Sequence, residues 1–209
     1  NSVPTIAGSN RDEVKLWLAS AEYFVDLEYS FLGSIFGVPR VVLNDKDAFN
    51  IFNSYRSRAW KIRGVDDPLR SLYISGNKDL YAYRYDWDDH RRFIIADFKE
   101  LIGAAHATEI PLLTGNNKLV GDYGFLIYPK GPSKKFTSNN MMKFWTNFAK
   151  NGEPGVSTNG VEWTKYNGNE NMASSYMILD NRKNLKMHTD DFNFSSLTKD
   201  LYQENALIN

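Results

Sequence analysis

Cysteine is absent from all 209 residues, so neither a disulfide nor a thiolate metal site can be built from this chain. An excess of one charge is also absent. Lys plus Arg and Asp plus Glu are each 25, which leaves no electrostatic footprint for nucleic acid or an anionic membrane surface. Charged residues interrupt every apolar stretch short of the roughly 20 residues a membrane-spanning helix needs, so no span is expected. No Gly-x-Ser-x-Gly pattern surrounds any glycine, and the sequence therefore holds no serine in a nucleophile-elbow setting. None of these absences fixes a compartment.

What is present suits a folded core: 42% apolar and 14% aromatic residues, too many for a disordered segment. Asn1-Ser2 passes straight into an apolar run, with no basic region or signal core ahead of it. The sequence reads as entering mid-fold, with any targeting segment upstream. Val3–Gly8 is short and apolar and predicts a buried strand. Val14–Phe36, rich in Leu, Phe and Tyr, predicts one or two helices, broken near Gly33 and stopped by Pro39. Asn44-Asp45-Lys46-Asp47 reads as a helix start. Asp66-Asp67-Pro68 reads as another, with the acids capping and the helix closing at Gly76.

Leu80–Tyr85 alternates, with Tyr81, Tyr83 and Tyr85 on one strand face and Leu80 and Ala82 on the other. In Thr137–Lys150, Met141, Phe144, Trp145 and Phe148 recur at helical spacing before Gly152 and Pro154. Tyr176–Leu179 predicts a late strand, Phe192–Leu207 a terminal amphipathic helix, and Gly115–Ser138 a loose loop. Strands separated by helical segments predict an α/β layer architecture, with too few strands for a stand-alone doubly wound sheet.

The chemistry-bearing residues lie in two loops. Glu13 follows the first strand, and His106 follows the Tyr81–Tyr85 strand on a Gly103-Ala104-Ala105 turn. Acid before histidine, each beyond a strand, is the order of the last two members of a Ser–acid–His triad in an α/β-hydrolase. Taken singly, Glu13 reads as a solvated acid opening a helix, His106 as a hydrogen-bonded structural histidine, and Asp12 as the alternative acid. Asp88-Asp89-His90 reads as a solvated charged loop in preference to a metal site. His106-x-x-Glu109 lacks the second histidine of a zincin. His188 reads as a surface residue.

Four segments together carry a resemblance. They are Pro4-Thr5-Ile6-Ala7-Gly8-Ser9-Asn10-Arg11-Asp12-Glu13, Gly103-Ala104-Ala105-His106-Ala107-Thr108-Glu109-Ile110-Pro111, Phe144–Pro154 and Val161–Tyr166. In this order they resemble the acid motif, histidine motif, Trp-Thr-Asn-Phe helix end and Trp-x-x-Tyr signature of the type-B carboxylesterase family, which includes para-nitrobenzyl esterases and cholinesterases. The resemblance implies that residues 1–209 form the C-terminal portion of one α/β-hydrolase domain, with the N-terminal part of the sheet absent. It also implies a serine carboxylic ester hydrolase in which Glu13 is the triad acid, His106 the base and Glu109 a supporting group. The nucleophile and oxyanion loop would lie upstream, so this segment by itself would be inactive. No metal or organic cofactor is implied. The implied partners are a small carboxylic ester and either the N-terminal part of the same hydrolase or a second copy at the uncovered surface. A catalytically inactive, cholinesterase-like adhesion module is the competing reading, and an isolated structural fragment a third.

Overall fold

The computed structural model describes residues 2–29, 34, 39–93, 96–121, 124–168, 174–190 and 193–208. Its centre is a four-stranded sheet in the order β1 (Thr5–Asn10), β4 (Leu80–Tyr85), β5 (Ser174–Leu179), β6 (Lys186–Asp190). The first three strands run parallel, with Ile6 opposite Tyr81 and Tyr83 opposite Met177; β6 returns antiparallel along β5.

Alternation sorts the side chains onto two faces. Tyr81, Tyr85, Met177 and Leu179 enter one core, with Tyr83 and Ile6 packed against it. Leu80, Ala82, Tyr176 and Ile178 enter the other, joined by Ala7. The first face is covered by the long helix Pro132–Asn151 through Met141, Phe144, Trp145 and Phe148, together with Trp163. The second is covered by Val65, Leu69 and Tyr73. Each fully buried aliphatic or aromatic side chain here contributes about 1.5–3 kcal/mol, so the two helical layers hold the sheet from both sides.

Gly8 allows the closest approach in the sheet. It pairs with Tyr83, and a Cβ added to it would stand only 2.2 Å from Cδ1 of the Tyr83 ring. That ring cannot swing away, because Trp145 and Trp163 pack edge-on to it at centroid distances of 5.1 and 6.2 Å. Gly8→Ala is expected to destabilise the chain by about 1–3 kcal/mol through overpacking. A lower urea midpoint at unchanged slope would show it.

Several expectations hold and several need correction. The strand Leu80–Tyr85 is as expected, and Asp45 caps the helix Lys46–Lys61 by accepting from the Ala48 amide at 2.8 Å. The long helix ends at Gly152, whose φ of 77° permits the left-handed cap, but it begins at Pro132, inside the expected loop. Short helical turns at Asn117–Val120 and Gly124–Ile127 occupy more of that loop. Asp66 and Asp67 cap nothing. Asp66 is engaged by Lys61 at 2.8 Å, Asp67 by Arg70, and the backbone runs continuously from the Lys46–Lys61 helix through a π-helical turn, Ile62–Asp66, into Asp67–Ile74.

Among the described residues of Val14–Phe36, Lys15–Leu18 forms a short helix and Ser34 is also helical. Val25–Glu28 (β2) is instead a strand, paired antiparallel with Arg40–Leu43 (β3). Each apolar pair on this ribbon, Val25 opposite Leu43 and Leu27 opposite Val41, includes a β-branched valine, which suits a pleated surface. Gly33 and Phe36 lie outside the described residues, as does Phe192; the terminal helix is Phe194–Ile208.

Candidate active site

Glu13 and His106 come together beyond the C-terminal end of the sheet. β1 ends at Asn10, and the turn after it lies against the loop that carries His106. Two backbone hydrogen bonds join the segments: the Asp12 amide donates to the Ala104 carbonyl at 3.0 Å, and the His106 amide to the Glu13 carbonyl at 3.2 Å. Ala104 and Ala105 are fully buried. Their small side chains let the loop close onto β1. Gly103 has a φ of 54°, and a Cβ there would stand 2.5 Å from Asp12 Oδ2. Ala107 takes a φ of 65°, a left-handed conformation that costs a non-glycine residue about 1–2 kcal/mol. The strain sits directly beside His106.

The imidazole Nδ1 lies 2.8 Å from Glu13 Oε2. A carboxylate only accepts, so Nδ1 carries the hydrogen and the Nε2 lone pair is left outward. Among the described residues Nε2 has no hydrogen-bond partner, and the His106 side chain is 47% exposed against 5% for that of Glu13. The other carboxylate oxygen, Oε1, accepts from the Asn10 amide at 2.7 Å. The Asn10 side chain then reaches across to the Ala105 carbonyl at 2.7 Å and to Glu109 Oε2 at 2.5 Å. Glu109 therefore touches Asn10, not the imidazole. Asn10 clamps both loops, a role that its place in the motif alone did not reveal.

Trp17 and Trp60 flank the imidazole at centroid distances of 5.3 and 5.5 Å, and stack on each other at 6.2 Å. Both indoles are about half exposed, at 50% and 43%. Trp17 sits on the four-residue helix just after Glu13, so its nearness to the acid loop was the available signal for it; Trp60, on the Lys46–Lys61 helix, had none.

Asp12, the alternative acid, faces away from His106. It accepts from Arg11 Nη2 at 2.7 Å, Asn53 Nδ2 at 2.7 Å and the Ala104 amide at 3.0 Å. Burial works to raise its carboxyl, and the adjacent Arg11 and Lys15 charges outweigh that and hold it below the usual range. His90 is buried, not solvated as expected. Its Nε2 contacts the Gly103 carbonyl at 2.8 Å and its Nδ1 the Ile127 carbonyl at 3.1 Å, and burial pushes its pKa down. Asp88 meets Arg11 and Lys99, and the described residues contain no acid or histidine cluster fit for a metal. His188 is exposed, with its ring against Tyr176.

Burial raises the Glu13 carboxyl, against the opposing pull of the Asn10 amide and His106. A carboxylic acid with a raised folded-state pKa binds its proton more tightly folded than unfolded. Stability therefore falls as pH rises from the ordinary value of 4.5 through the folded one. Glu13→Gln removes that burden. Its stability relative to the parent is expected to increase from pH 4 to pH 7, as measured by urea unfolding at each pH.

A family model described as the carboxylesterase family matches residues 62–195, more than half of the chain. The chain belongs to the carboxylesterase family. Two solved PNB esterases share its fold. One, at 20% identity and a TM-score of 0.54, covers 94% of this chain and 37% of its own. The other, from the thermophilic class by its description, has 22% identity and a TM-score of 0.54, covering 90% of this chain and 36% of its own. This carboxylesterase-family chain thus spans little more than a third of those structures, and its sheet and helices are part of an α/β-hydrolase fold. No curated protein matches it. No helix among the described residues is long and apolar enough to cross a membrane.

Proposed function

We propose that this chain supplies the acid and base of a serine carboxylesterase, hydrolysing a carboxylic ester through an acyl-serine intermediate. The observation that carries the reading is the 2.8 Å contact between His106 Nδ1 and a buried Glu13 carboxylate, with Nε2 facing open space. A serine and an oxyanion hole from polypeptide outside this sequence complete the site, in keeping with a chain that spans 36–37% of the matched structures.

His106 Nε2 takes the proton as the serine oxygen attacks the ester carbonyl. It then returns that proton to the departing alcohol oxygen, and repeats the exchange with water to release the acid. Glu13 fixes the tautomer and stabilises the imidazolium formed midway. Residues 1–209 form one portion of a single hydrolase domain in this reading. β1 has a neighbour on one edge only among the described strands, and the rest of the sheet adds along its open edge, in the same protein or from a second chain. The test is turnover of an aryl ester by the polypeptide that joins this sequence to its serine, with and without His106→Ala. Turnover that survives the substitution rejects the assignment.

A further inference from the structure

Beside the Trp60 indole lies a cavity of about 650 Å³ whose lining combines apolar side chains with two arginines. Val14, the residue after Glu13, lines it together with Ala59 and with Phe194 and Leu197 of the terminal helix. Trp60 is shared: it lines this cavity and stands 5.5 Å from the His106 ring. An occupant of the cavity therefore touches the same indole that flanks the imidazole.

The two arginines are Arg56 and Arg63, seven positions apart and on the same stripe of the helix and its π-helical continuation. Their neighbour Arg58 is paired with Asp200 at 3.2 Å, whereas neither Arg56 nor Arg63 has a carboxylate partner among the described residues. Each is held over an aromatic ring instead, Arg56 over Phe52 at 6.0 Å and Arg63 over Phe194 at 4.9 Å. Those contacts engage one face of each guanidinium and leave its edge donors for an anion, to which they can bond in pairs.

We propose that the cavity is the substrate's specificity pocket, and that it takes an ester with a free carboxylate on the half that is bound there. The apolar lining receives a short alkyl or aryl spacer, the two guanidiniums receive the carboxylate, and the ester lies toward Trp60 and His106. This rests on the esterase reading of His106, but the pocket can be tested without turnover.

Binding of 4-phenylbutyrate and of its neutral counterpart 4-phenylbutanol to the 209-residue chain is followed by tryptophan fluorescence, with Trp60→Phe identifying the responding indole. The carboxylate is expected to bind at least tenfold tighter than the alcohol, with a preference that shrinks as salt is raised. In the Arg56→Gln/Arg63→Gln variant the preference should fall to near unity while the alcohol's affinity stays unchanged. Equal affinities in the parent chain, no binding of either probe, or a preference that survives in the variant each overturns the proposal. In the polypeptide that carries the serine, the same variant should raise KM for a para-nitrophenyl hemisuccinate with kcat retained, and leave para-nitrophenyl butyrate unaffected. Hydrolysis without this split rejects the pocket alone. Carboxylate binding without hydrolysis rejects the esterase reading alone.

Discussion

Glu13→Gln is expected to lower ester turnover by about 10⁴-fold while leaving the fold intact. Glutamine and glutamate are close in shape, so the amide oxygen of the variant side chain still accepts from the Asn10 amide, which sits 2.7 Å from Oε1 in the parent. The atom facing His106 becomes an NH₂ group, which donates. Nδ1 must then accept, and the ring hydrogen moves to Nε2, where the lone pair was needed. The base is disabled by its tautomer, with no loss of packing. His106→Ala removes the proton acceptor itself and should lose at least as much. Combining the two should cost little beyond either alone, because acid and base act as a unit. Steady-state hydrolysis of an aryl ester checks all three. Multiplicative losses in the double variant would mean that Glu13 and His106 act separately.

Asp12→Ala is expected to produce the largest loss of stability, about 3–5 kcal/mol, the cost of breaking a buried charge pair by removing one partner. Asp12 is only 6% exposed and serves three donors together: Arg11, the Asn53 side chain and the Ala104 amide. Its removal leaves Lys15, itself 7% exposed, without its nearest carboxylate. A typical domain is stable by about 5–15 kcal/mol, so the loss takes a large share. The pH dependence has a definite sign. The folded pKa of Asp12 lies below its ordinary 3.8, so its contribution is complete above that value and is lost as pH falls through the lower, folded one. Asp12→Ala should therefore flatten the acid limb of the stability curve, as well as lower its plateau, in urea titrations run from pH 2 to pH 7. An unchanged plateau would contradict the role assigned to this carboxylate.

Much of this arrangement is legible in the sequence where one period dominates. Tyr81, Tyr83 and Tyr85 alternate strictly, and Met141, Phe144, Trp145 and Phe148 follow a helical stripe. Both elements appear in the expected places. The stretch Val25–Glu28 misleads because its alternation, Val25 and Leu27 against Asp26 and Glu28, is only four residues long inside a wider run rich in Leu, Phe and Tyr, and its partner Arg40–Leu43 decides the outcome. Lys186–Asp190 is polar and largely exposed; it is a strand because β5 offers it an edge, a fact about its neighbour and not about itself.

The same distinction holds in the site. Glu13 and His106 could be named from two short motifs. Trp60 could not, because it is far from both in the chain and reaches the imidazole only through the way the Lys46–Lys61 helix crosses β1. His90 was misjudged from its charged neighbours. Asp88 and Asp89 point to cations, while the imidazole turns inward to two carbonyls.

The two backbone hydrogen bonds between residues 12–13 and 104–106 have a practical corollary. They bind the acid and base loops to each other without help from any third segment. A nick or a gene split placed ahead of β1 would leave both residues and their stitching on one piece. Under the proposed function, such a piece would suit enzyme complementation, in which a silent half carrying the proposed serine would regain turnover when the two are brought together.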